Sequence, residues 1–134
     1  VYMVQYSARK LEDAKRVAAS ARAEAEKNGW AVVIAVVDDG GHLMYLERMD
    51  GTQKASSRIA EAKGRTAILF KRPTKAVEDN VLEGRTVMMG LPGAVPLEGG
   101  VPLVKDGLFL GGIGVSGVQS FQDGIVARAG AAEL

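Results

Sequence analysis

The chain has 134 residues, 47% hydrophobic and 25% charged, a balance that suits one globular domain over residues 1–134 and excludes disordered, collagenous and bilayer-spanning classes. Seventeen Lys and Arg against sixteen Asp and Glu leave a formal charge of +1, and three Phe, three Tyr and one Trp offer little surface for stacking on bases, so nucleic acid is not an expected partner. There is no cysteine, which removes disulfides, thiolate metal sites and a Cys nucleophile or haem ligand.

Residues 8–28 place Leu11, Ala14, Val17, Ala18, Ala21 and Ala25 at steps of three and four between charges, which predicts an amphipathic helix closed by Asn28 and Gly29. The run WAVVIAVV over 30–37, the turn DDGG and the segment HLMYLERM predict a β-hairpin with a central first strand and a half-exposed second one. Residues 53–70 return to helical spacing, with Ala55, Ile59, Ala62, Thr66, Ala67 and Phe70 as the expected inner stripe and Pro73 as the limit. A short helix over 75–82 follows, then a loop over 90–100, GLPGAVPLEGG, too rich in Gly and Pro for a helix or a central strand. VPLVKDGLFLGGIGVS reads as a second hairpin turning at Lys105, Asp106 and Gly107, and residues 118–133 as a final helix. The expected class is α/β in the α+β sense, an antiparallel sheet of four to five strands flanked by helices.

Within GGIGVSG, Gly112, Gly114 and Gly117 match the dinucleotide pattern G-x-G-x-x-G. A dinucleotide site needs that turn inside a parallel βαβ unit, whereas here the strand entering it is the second arm of a hairpin. The glycines are expected instead to let a helix or a neighbouring subunit approach the strand closely. Ser116 is not a nucleophile elbow either, because the glycine after it comes one residue too early.

The stretches LEDAKRVAASARAEAEKNGW, VVIAVVDDGGHLMYLERMDG, RIAEAKGRTAILFKRPT, LPGAVPLEGGVPLVKDG and GGIGVSG, taken in this order, resemble the GlcG/HbpS-like family. These proteins are often called haem-degrading domains and are related to the C-terminal domain of PduO-type cobalamin adenosyltransferases. The resemblance implies a profilin-like fold and assembly into a homo-oligomer: dimer, tetramer or octamer. It also implies haem, another tetrapyrrole or a small carboxylated metabolite as ligand, since some relatives bind haem or a corrinoid and many are encoded near small-acid or diol catabolism. The chain departs from the pattern twice: its first helix has no His, and Gly64 in the middle helix stands where relatives usually carry Ala, softening that middle helix by about 1 kcal/mol.

The candidate site residues are few. His42 is the only imidazole and so the candidate haem ligand, with a backbone-bonded turn residue as the alternative; no metal site is expected. Glu98, ahead of Gly99 and Gly100, places a carboxylate beside backbone that a ligand can approach; capping a helix or pairing with Arg85 are its alternatives. Lys63 lies beside the apolar stripe of the middle helix and either reaches the same cavity or snorkels. Arg48 and Asp50 end a strand, where Arg48 is suited to clamp a carboxylate or to make a surface ion pair. Asp38 and Asp39 are expected turn formers.

Two functions compete on these residues. In the first, Arg48, Asp50, Lys63, Glu98, Gly99 and Gly100 hold a small molecule or haem. In the second, Glu98 and Lys63 are the acid and base of a lyase or isomerase. A structural or stabilising subunit is a third alternative. An exposed apolar side on the terminal helices would mark assembly. No leader segment is read and the start is Val1 rather than Met, so a cytoplasmic address is the default expectation and secretion stays open. No membrane partner is expected.

Overall fold

The structure, a computed structural model, describes residues 10–134. Helix α1 spans Leu11–Lys27; residues 8 and 9 of the predicted helix lie outside the described residues. It closes as the sequence leads one to expect: Gly29 takes φ +73°, and the N–H groups of Trp30 and Gly29 donate to the carbonyls of Ala25 and Glu26. Strands β1 (Val33–Asp38) and β2 (Leu43–Arg48) form the first hairpin, and β3 (Gly100–Lys105) and β4 (Leu108–Ser116) the second. Asp106 and Gly107 turn that second hairpin with both φ angles positive, as a two-residue connection requires. Helices α2 (Ser56–Phe70), α3 (Thr74–Leu82) and α4 (Ser120–Ala131) complete the fold, with a 3₁₀ turn at Thr86–Gly90 leading into the predicted loop.

The four strands make one antiparallel sheet in the order β2-β1-β4-β3. Alternation along the two central strands divides the core. Ile34, Val36, Ile113 and Val115 pack against α1 and α4 with Val17, Ala21, Val126 and Ala127, while Val33 and Ala35 face Ala60 of α2 on the other side.

Gly112 and Gly114 of β4 belong to that second face. A Cβ on Gly114 would collide with the carbonyl of Ala60, and one on Gly112 with the carbonyl of Gly64. Gly64 returns the contact, since its own Cβ would stand 3.1 Å from the Gly114 nitrogen. Helix α2 therefore lies in a groove made of missing side chains, and GGIGVSG is a helix seat rather than a phosphate loop. Gly64 still carries its helical flexibility, but it sits where backbone meets backbone.

This contact also corrects the expected inner stripe of α2. The buried residues are Ser56, Ala60, Lys63, Gly64, Thr66, Ala67 and Ile68, whereas Ile59 and Ala62 are only partly covered. Bulky Ile59 cannot enter a groove that admits only the smallest side chains, so the helix turns Ala60 and Gly64 inward.

Candidate functional site

The segment from Leu97 to Gly100 enters β3 between α2, α3 and α4, and two threonines and a lysine fix its course. The Gly100 N–H donates to the Thr74 hydroxyl at 2.8 Å, and the Val95 N–H to the Thr66 hydroxyl at 3.1 Å. The room left by Gly99 is taken from within: a Cβ there would stand 2.6 Å from the Val115 carbonyl and 2.7 Å from the Lys63 Nζ, with φ at +133°. At Gly100 a Cβ would meet the Lys63 carbonyl. Both glycines therefore make room for Lys63.

Lys63 is 2% exposed. Its ammonium donates to the Val115 carbonyl and to Asp123 Oδ2, both at 3.0 Å, and Asp123 Oδ1 accepts the Val118 N–H at 3.2 Å. Because α2 and α4 cover opposite faces of the sheet, this ion pair passes the end of β3 and ties the two layers together. Burial pushes the Asp123 carboxyl above its usual range, and the Lys63 ammonium pulls it down without restoring it. With a raised folded-state pKa, the stability this carboxyl contributes is fully present below the unfolded value and is lost as pH rises through the folded one. The stability gap between the parent and Asp123→Asn should therefore widen from neutral pH to the ordinary carboxylate pKa of about 4. Urea midpoints at the two pH values check this, and a constant or shrinking gap would reverse the assignment.

Glu98 is buried beside this pair, packed on Gly124, whose Cβ would collide with Glu98 Oε2. Its N–H donates to Glu78 Oε1 at 2.9 Å, and Arg128 donates to its Oε2 at 3.0 Å. Arg128, not Arg85, is thus its partner. The two ends of this bond differ: the Glu98 side chain is 7% exposed and that of Arg128 53%. Arg128 also lines a cavity of about 380 Å³ whose walls are Pro73, Ala76 and Val101, with Lys75 and Asp79 paired at 3.0 Å on its rim. On the other side of the loop, Leu82, Met89, Pro96 and Leu97 line a second cavity of about 380 Å³.

The other predicted residues lie apart from this site within the chain. Arg48 and Asp50 share a shallow depression with Arg22, Glu26 and Met49. Val33, Arg48 and Ser116 are in register, so Arg48 sits at the same end of the sheet as Glu98 but three strand spacings away, about 14 Å. His42 stands at the opposite end of β1, 81% exposed, with Nδ1 3.2 Å from Asp38 Oδ1. Asp38 Oδ1 also accepts the N–H groups of Gly40 and His42, both at 2.9 Å, which is the turn role expected of it. Burial raises the Asp38 carboxyl, but these amide bonds and the nearby imidazole outweigh it and hold the group below its usual range. Ser116 is buried and donates to the Ser56 hydroxyl at 3.1 Å. Among the described residues no group of three His, Asp or Glu side chains is placed to hold a metal, and no helix is long and apolar enough to cross a membrane.

Asp123 and Arg128 escape the sequence reading, although Asp123 stands on the helical stripe of Ala127 and Gly130, and an acid at such spacing signals a buried partner.

Against known proteins, the model of the family described as haem degrading protein HbpS-like matches residues 10–132. The chain belongs to the HbpS-like family. Protein GlcG of Escherichia coli is 48% identical over 103 residues, 77% of each chain. A crystal structure of a double mutant of Streptomyces reticuli HbpS shares the fold with a TM-score of 0.86 at 36% identity, over 93% of this chain and 86% of that one. The crystal structure of a PduOC:haem complex has a TM-score of 0.83 at 28% identity, over 93% of this chain and 94% of that one. The HbpS-like fold is thus present from end to end of the described residues, with the four-stranded antiparallel sheet and four helices derived above.

Proposed function

We propose that this chain binds a small carboxylated molecule in the cavity beside Glu98, with Arg128 as its anchoring cation and Lys75 at the rim. The observation that carries this is the asymmetry of the Glu98–Arg128 pair. A buried carboxylate holds one side of a planar guanidinium whose remaining donors are open on an apolar-walled hollow, the arrangement that recognises a second carboxylate. Glu98 then acts as the positioning group, and Gly99, Gly100 and Lys63 support it from behind.

Haem is the second reading, favoured by the haem bound in the PduOC structure and by the family description. Its propionates offer the same carboxylate chemistry to Arg128 and Lys75. The iron is not provided for in the same place, because the single imidazole of the chain stands on an exposed turn at the other end of the sheet.

Calorimetric titration with a panel of short hydroxy and keto acids, and spectroscopic titration with haemin, test both. The parent is expected to bind a member of the panel and Arg128→Ala to bind it about tenfold to a hundredfold more weakly, as loss of a charged hydrogen bond implies. The Soret band with haemin should be the same in His42→Ala as in the parent. Equal binding by Arg128→Ala, or no binding by the parent, refutes the carboxylate site; a Soret shift lost in His42→Ala moves the ligand to the hairpin turn.

A further inference from the structure

Arg128 and Lys75 both line the cavity beside Glu98, but they are not equally open to an anion. Arg128 gives Glu98 one contact, from Nη1, and no other side chain among the described residues takes its remaining donors. Lys75 is already held. Asp79, one turn further along α3, accepts from its ammonium with both carboxylate oxygens, Oδ1 at 3.2 Å and Oδ2 at 3.0 Å. The hydrogen bond and charge of Asp79 raise the Lys75 ammonium above its usual range, and the charges of Glu98 and Glu78 act in the same direction. Once Arg128 has received one carboxylate, these acids leave no positive charge over for another. The remaining walls, Pro73, Ala76 and Val101, carry no side-chain donor.

We infer that the cavity takes a monocarboxylate with an uncharged, largely apolar remainder, and that Asp79 is the residue that turns dicarboxylates away. The inference rests on the reading of Arg128 as the anchor. The single carboxylate meets the guanidinium, and the hydrocarbon behind it covers Pro73, Ala76 and Val101. A second carboxylate has two places to go, and both are unfavourable. Against the walls it loses its water without gaining a donor. At the rim it faces Asp79 across an ammonium that Asp79 already neutralises. The preference is thus set by a charge placed against the wrong ligand as much as by contact with the right one.

Calorimetric titration of the full chain with pentanoate and with glutarate, which differ only in the second carboxylate, tests the assignment on the parent, Asp79→Asn and Arg128→Ala. The parent is expected to favour pentanoate by about tenfold. Asp79→Asn frees Lys75 and should remove about threefold to tenfold of that preference, the size of an exposed charge interaction. The effect of Asp79→Asn should shrink at high ionic strength, which a mere change of packing would not do. Equal affinity of the parent for the two acids, a preference untouched by Asp79→Asn, or an effect indifferent to salt would each overturn the inference. If Arg128→Ala loses both acids in those cases, the anchor still stands. A parent that binds neither acid also overturns the inference, and the hydroxy and keto acids of the wider panel then decide the anchor separately.

Discussion

Lys63→Met is expected to cost about 3–5 kcal/mol of folding stability, because it leaves the Asp123 carboxylate buried without its counter-charge. Both side chains are at most 3% exposed, so water cannot replace the missing ammonium. The double variant Lys63→Met with Asp123→Asn should recover most of that loss, since Asn keeps an acceptor for the Val118 N–H and brings no charge. Denaturant midpoints of the two single variants and the double variant form the cycle that measures the coupling. Additive losses would mean that the pair does not act as a unit.

Gly114→Ala should be nearly as damaging, at about 3 kcal/mol, the upper end of what overpacking costs. The added methyl meets the carbonyl of Ala60 and the nitrogen of Gly64, which are backbone atoms of a helix and cannot rotate away. Gly107→Ala is the instructive contrast. Its Cβ would meet nothing within 4 Å, and its positive φ of 78° is the only obstacle. Thermal unfolding of the two variants separates crowding from backbone preference: a Gly114→Ala protein that melts with the parent would show that α2 is not seated on β4.

The elements were legible because their signals are local. Apolar periodicity marks α1, a β-branched run marks β1, and an Asp-Gly pair marks the second turn, each within a few residues. Boundaries drifted where packing decides: Trp30, Ala31 and Val32 have strand composition but precede the first ladder pair at Val33. The buried stripe of α2 departs from its apolar spacing for a related reason. Apolar content predicts an inner face, but the groove of β4 selects by size, and the size of a neighbour across the fold is invisible in a helix's own spacing. Glu98 and Lys63 could be singled out from their surroundings in the chain, yet their partners Asp123 and Arg128 lie 60 and 30 residues away. A sequence shows that a charge stands on a buried stripe; it does not show which distant charge answers it. The same limit applies to Arg48 and Asp50, plausible as pocket edges but separated from Glu98 by the width of the sheet.

The link between the two helical layers also governs how the protein can be made. Lys63 leaves the ribosome well before Asp123, so a nascent chain holds an ammonium at its centre that no residue yet synthesised neutralises in the way the finished fold does. An N-terminal fragment ending before α4 would have to keep that group hydrated, and helix α2 could not settle fully into its groove. Maturation of the two halves is thereby coupled, and α4, made after α2, completes the first half of the molecule as much as its own.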